Sequence, residues 1–180
     1  AVAREALALA GANGWAHVEI QEIAQNLALK EEEVLDYVRD KPDILAAIGH
    51  MLDRQSLKNI NPGDGETARD RLFDILMQRF DAMNAYRAGL VSIMRDLKYD
   101  PVQALIHAPY LCRSMQAVLQ AAGENPSGPS GALKIAGLTA VFLKTCRVWA
   151  DDETPDLSQT MAALDGDLAR AEKLASWLRF

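Results

Sequence analysis

Apolar residues recur at three- and four-residue spacing along almost the whole chain. Between positions 67 and 87 they read Leu72, Phe73, Leu76, Met77, Phe80 and Met83, the broad apolar face of a long helix. The same period runs through 2–12 with Leu7, Leu9 and several alanines, and through 18–27 with Val18, Ile20, Ile23, Ala24 and Leu27. It continues in 31–38 with Val34, Leu35 and Val38, and then in 88–97 and 102–122, the last kinked at Pro109. Residues 133–151 are apolar on more than one side, as in a helix buried by several neighbours. No segment alternates apolar and polar residues as a half-buried strand does. The chain is therefore expected to be all-α, with about nine helices: three or four short ones, then five in a bundle.

The punctuation fits that reading. Glycines in "GANG" (11–14) end the first helix, and Pro42 falls in the first turn of the fourth, where a missing N–H costs nothing. That helix should run to about Ile60, where "NPGDGE" (61–66) stops it. "GENPSGPSG" (123–131) reads as a flexible loop, and "DETPD" (152–156) as a turn with Asp156 at the N-cap of the last helix. Two domains are expected, a small one over 1–55 and a larger helical one over 56–180.

Several function classes are excluded by what the chain lacks. No run of about 18 apolar residues exists, so no membrane-spanning helix is expected. Arg4 and Glu5 interrupt the Ala-rich start, which reads as an amphipathic helix rather than a secretion signal. Cys112 and Cys146 lie far apart and make no disulfide framework, so a cytoplasmic, reducing setting is expected. His17, His50 and His107 are scattered, with none at metal-ligand spacing to a cysteine. The acidic cluster Asp151, Asp152, Glu153 and Asp156 lacks the alternating ligand order of a calcium loop and reads as a solvated capping turn. No nucleophile elbow, Walker loop or dinucleotide fingerprint occurs. The expectation is no enzyme, no metal and no cofactor.

The stretch "ALAGANGWAHVEIQEIAQNLALKEEEVLDYVRDKPDILAAI" resembles the tetracycline-repressor (TetR) family of bacterial transcription regulators. Gly14 and Trp15 stand where the family has a glycine and an aromatic, and "EIA" (22–24) matches its Asp-Ile-Ala. Tyr37 and Val38 occupy its tyrosine–phenylalanine positions, and Lys41 matches the lysine opening its fourth helix. The resemblance implies a TetR-like fold: a three-helix helix–turn–helix module whose third helix enters the DNA major groove, followed by a ligand-binding and dimerisation bundle. It also implies a homodimer through the last two helices, and the apolar stretch 133–149 suits that role. Candidate DNA contacts are Lys30, Tyr37, Arg39 and Lys41.

The charges depart from the family pattern. Where small or hydroxyl residues let the backbone approach phosphate, this chain has Lys30, Glu31, Glu32 and Glu33, and Ala28 replaces the turn glycine. Carboxylates in a first turn satisfy the helix dipole in water but repel phosphate. Residues 1–55 hold five basic and ten acidic side chains, so most of the chain's net charge of −6 sits in this module. Phosphate neutralisation by Lys and Arg, the usual source of affinity, is largely absent. DNA contact is expected to be weak or altered.

A second resemblance lies at the other end. "VWADDETPDLSQTMAALDGDL" (148–168) looks like the C-terminal signature of a lipid-binding accessory family of coenzyme Q biosynthesis, through Asp152, Thr154, Pro155, Asp156, Thr160 and Leu164. That family shares the TetR-like fold and implies lipid binding without DNA. It carries a further amphipathic helix; here "EKLASWLRF" follows, where Trp177 and Phe180 beside Lys173 and Arg179 read either as an interfacial tip or as packing residues.

Phe73, Met77, Phe80, Met83, Met94, Leu111, Met115, Val118 and Leu119 are core residues or the wall of an adaptable apolar pocket, with Arg87 and Arg113 as candidate holders of an acidic head group. Three functions stand open: a TetR-type regulator controlled by a small apolar ligand, a lipid- or isoprenoid-binding protein, and a module whose acidic face docks on a basic protein.

Overall fold

The computed structural model describes residues 1–58 and 67–177, with side chains as far as Leu174; "NPGDGE", the stretch 59–60 to which the fourth helix is expected to run, Arg179, Phe180 and the Trp177 side chain lie outside this set. Among the described residues every regular element is helical: α1 Val2–Asn13, a 3-10 turn Trp15–His17, α2 Ile20–Asn26, α3 Glu31–Leu35, α4 Lys41–Ser56, α5 Ala68–Asn84, α6 Arg87–Tyr99, α7 Pro101–Ala121, α8 Gly128–Asp151 and α9 Ser158–Trp177. The all-α expectation holds. The chain forms two compact units, one of Ala1–Arg54 with Asp81–Leu111, the other of Gln55–Phe80 with Cys112–Phe180.

In the first unit α1 packs on α6. The contact is close because Gly89 has no side chain: a Cβ there would lie 2.2 Å from the Leu7 carbonyl oxygen. Leu7, Leu9, Leu90 and Ile93 are buried along this crossing, joined in the core by Trp15, Ile23, Val34, Val38, Ile44 and Ile48. Each such side chain contributes about 1.5–3 kcal/mol. Gly14, at φ +90°, ends α1. After the 3-10 turn the backbone is extended at Val18 and Glu19, so α2 begins at Ile20 and not at Val18.

In the second unit α8 and α9 form a helical hairpin. Leu138, Val141, Phe142, Thr145, Cys146 and Trp149 line the buried face of α8, at alternating three- and one-residue spacing. Phe80 of α5 stacks on Phe142 with ring centroids 5.4 Å apart and lies 6.4 Å from Trp149. Asp167 of α9, buried, accepts from Lys144 of α8 at 2.6 Å and from Arg170 at 3.0 Å. Arg71 donates to the Ala122 carbonyl at 2.7 Å, placing a cation where α7 ends and its dipole is negative.

Four expectations need correction. The long helix expected over 67–87 is α5, ending at Asn84, and Arg87 opens α6. The third helix is one short turn and a half, ending at Leu35 rather than Val38. Half of "GENPSGPSG" is not loop: α8 starts at Gly128 with Pro129 in its first turn, where a missing N–H is harmless. Gly131 is buried there, and a Cβ would meet the Pro126 carbonyl carbon at 2.0 Å, so its glycine serves packing and not flexibility.

The fourth correction concerns Asp152, read from sequence as part of a solvated turn. It is 1% exposed. Its Oδ2 accepts the Thr160 backbone N–H at 2.8 Å and the Thr160 hydroxyl at 2.7 Å, while Oδ1 accepts from the Thr154 N–H and hydroxyl. Asp152 thus caps α9 from eight residues upstream. Asp156 accepts only the Ser158 N–H, at 3.3 Å. Burial alone would push the Asp152 carboxyl up; the hydrogen bonds from Thr154 and Thr160 outweigh it and hold the group well below the usual carboxylate range.

Candidate nucleic-acid interface

The helix–turn–helix is built around one left-handed residue. Ala28 has φ +53°, in a region that favours glycine. Its N–H bonds to the Gln25 carbonyl, and the Leu29 N–H to the Ala24 carbonyl at 2.9 Å, closing α2 and turning the chain into α3. The turn geometry is therefore kept at the position where the resemblance places a glycine, with alanine bearing the strain.

At the start of α3 the carboxylates serve the helix. Glu33 accepts the Lys30 backbone N–H at 2.8 Å, the side-chain-to-N-cap half of a capping box. Glu31, Glu32 and Glu33 are all exposed, Val34 alone of the α3 residues is buried, and Leu35 is 37% exposed. The surface that α3 presents is thus acidic at its N-terminal end, where a helix otherwise attracts phosphate.

Of the four candidate contacts, Lys30, Tyr37 and Arg39 face solvent, with Tyr37 80% exposed. Lys41 is placed differently. Its ammonium donates to the Trp15 carbonyl at 2.9 Å and the Ala16 carbonyl at 2.7 Å, and lies 5.4 Å from the Trp15 ring centre. The same 3-10 turn is held from α6, where Ser92 Oγ accepts the Trp15 N–H at 2.9 Å and Asp96 accepts the Ala16 N–H at 2.8 Å. Lys41, Ser92 and Asp96 together satisfy a turn that would otherwise leave its backbone unpaired. Ser92 and Asp96 were invisible to sequence reasoning, because their partners lie 77 and 80 positions away.

The candidate pocket residues divide between the units. Phe73, Met77, Phe80, Met115, Val118 and Leu119 belong to the second, and Met83, Met94 and Leu111 to the first. Phe80, Met83, Met115, Val118 and Leu119 are buried; Phe73, Met77, Met94 and Leu111 are half-buried. Arg87 donates to Asn84 at 3.0 Å, and Arg113 is exposed. The buried cation that sequence reasoning missed is Arg79, 3% exposed, with its guanidinium 5.2 Å from the Phe142 ring centre. Burial pushes the neighbouring Cys146 thiol up to about 12, Arg79 offsetting part of the effect. Among the described residues no group of three or more His, Cys, Asp or Glu could hold a metal ion, and no helix is long and apolar enough to cross a membrane.

No protein-family model matches the sequence, and no curated protein matches it. Solved structures do resemble the fold. A TetR transcriptional regulator from Nitrosomonas europaea superposes with a TM-score of 0.72 at 24% identity, over 96% of each chain. A TetR transcriptional regulator from a Rhodococcus species superposes with a TM-score of 0.65 at 18% identity, over 97% of this chain and 92% of that one. Both likenesses run through the helix–turn–helix and the helices after it, and the chain has a TetR-like fold.

Proposed function

We propose that the protein is a TetR-type transcriptional regulator whose DNA contact is weakened by the acidic start of its third helix. The observation that supports this reading most is the fold's extent, from the α2–α3 turn through α9, alongside proteins named as transcriptional regulators. In this reading residues 1–55 are the DNA-facing module and 56–180 the ligand-binding and dimerising part. Lys30, Arg39 and Tyr37 supply the contacts, with Lys41 acting by holding the Trp15 turn in place. The apolar side chains of Phe73, Met77 and Leu119 supply a wall for a small apolar ligand.

The homodimer of this reading uses α8 and α9. Leu133 and Leu143 on α8, and Met161 and Leu174 on α9, are exposed at 55%, 47%, 41% and 67%. An interface of this kind buries such side chains at its centre.

The exposed glutamates favour a second reading, a lipid-binding protein of the coenzyme Q accessory type that keeps the scaffold without DNA. The Asp152–Thr154–Thr160 network involves three of the residues that carry that resemblance.

Fluorescence anisotropy of the purified chain against a pool of its own genomic fragments, at several salt concentrations, separates the two. Saturable binding that selects particular fragments and weakens with salt supports the regulator. No binding at low salt, together with lipid co-purifying in organic extracts of the protein, overturns it in favour of the second reading.

A further inference from the structure

The outer face of the first half of α7 carries no charge. From Pro101 to Cys112 the chain holds no Asp, Glu, Lys or Arg. Gln103, His107 and Leu111, at four-residue spacing, are half-buried and mark the side turned inward. Outward lie Val102, Leu105, Ile106, Pro109 and Tyr110, all exposed, Val102 at 66% and Leu105 at 75%. An exposed helix face is ordinarily polar. These five side chains present on the order of 500 Å² of apolar surface, near the upper end of what a monomer's largest patch shows.

The flanks of the stripe identify what covers it. Asp100 precedes it, with Oδ1 accepting the Gln103 N–H at 3.0 Å, and the exposed Arg113 is the next charged residue after it. The order along the helix is therefore acid, apolar stripe, base, with its midpoint between Ile106 and His107. Such an order is complementary to its own reverse. Two copies of α7 laid antiparallel about a two-fold axis at that midpoint cover each other's stripes and set each Asp100 against the other copy's Arg113. The pairing buries about 1,000 Å² in all, the threshold for a specific interface. It leaves no charge buried and unpaired, which would be costly. A lipid surface offers no acid–base order to match, and anionic headgroups repel a chain of net charge −6.

We propose that the outer face of α7 is a contact between two copies of this chain, an antiparallel helix pair centred on Ile106. This contact is separate from the α8–α9 pairing of the proposed function and stands whether or not that pairing forms.

Cross-linking of the full chain with a short bis-maleimide tests this. Ile106→Cys is made in a Cys112→Ser background, where the remaining cysteine, Cys146, is buried. Ala104→Cys in the same background is the control, because Ala104 is also exposed but lies about 200° round the helix from residue 106. The contact raises the local concentration of the second thiol, so Ile106→Cys should give covalent dimer about tenfold faster than Ala104→Cys. Adding Leu105→Asp should abolish that difference. Asp100→Lys or Arg113→Glu, each added to the Ile106→Cys chain, sets like charges at both ends and should slow cross-linking about fivefold, the worth of surface ion pairs. Mixing these two variants restores opposite charges at both ends, and the mixture should recover most of the parent rate. Circular dichroism checks that every variant folds. Equal rates for the two cysteine positions, a rate that Leu105→Asp leaves unchanged, or a mixture as slow as its components overturns the proposal. So does co-sedimentation of the wild type with phosphatidylcholine–phosphatidylglycerol vesicles that Leu105→Asp abolishes, which would give the stripe to lipid.

Discussion

Replacing Asp152 by alanine should destabilise the protein by about 3 kcal/mol. The carboxylate caps α9, and losing a cap costs about 1 kcal/mol. The Thr160 side chain is fully buried and donates to Asp152, so the substitution leaves a buried hydroxyl without its acceptor, at about 1–3 kcal/mol. Asp152→Asn, which keeps one oxygen and the shape, should cost about half as much. Urea unfolding followed by helical circular dichroism measures both. Thr160→Val in the Asp152→Ala background should cost little more than the single change, because the two groups act as a unit. The pH dependence has a definite sign. The folded-state carboxyl lies below its unfolded value, so its stabilisation is full above about pH 5, where the unfolded group is also ionised. It diminishes progressively as pH falls below about 4 towards the folded-state value, and the gap between the wild-type and Asp152→Ala stabilities should narrow over that range. A cost under about 0.5 kcal/mol at pH 7, or curves that stay parallel into acid, would refute the reasoning.

Other expectations rest on single observations. Ala28→Gly should stabilise the chain by about 1 kcal/mol in the same urea assay, since the φ of +53° strains alanine and suits glycine. Gly89→Ala should cost at least about 2 kcal/mol and lower Tm, because the added Cβ meets backbone of α1 that no side-chain rotation relieves. With an aromatic disulfide reagent at pH 8, half-buried Cys112 should react first, and buried Cys146, its thiol pushed up to about 12, only upon unfolding.

What the sequence reveals and what it hides follow from the range of the interactions. Helical period is local, so the apolar faces of α1, α5 and α8 could be read directly, as could the acidic start of α3. The α2–α3 turn was legible because Ala28 occupies a position whose backbone requirement survives a change of residue. Gly128 to Gly131 misled, because glycine and proline mean loop on average yet also suit a helix start packed closely on Pro126. Asp152 and Lys41 looked like surface charges. Each is spent inside the fold, on Thr160 and on the Trp15 turn, and nothing in their own neighbourhoods announces partners 8 and 26 positions away.

The proposed function turns on whether α3 of this TetR-like fold faces DNA and is held off it by its carboxylates. The most direct test compares low-salt DNA affinity of the wild type with that of a variant carrying Glu31→Gln, Glu32→Gln and Glu33→Gln. Glutamine at 33 can still accept the Lys30 N–H, so α3 keeps its cap. Each carboxylate near a phosphate costs about 1 kcal/mol in a water-like dielectric, so the triple variant should bind about a hundredfold more tightly, with a steeper salt dependence. Submicromolar, steeply salt-dependent binding by the wild type that the three substitutions leave unchanged would contradict the account.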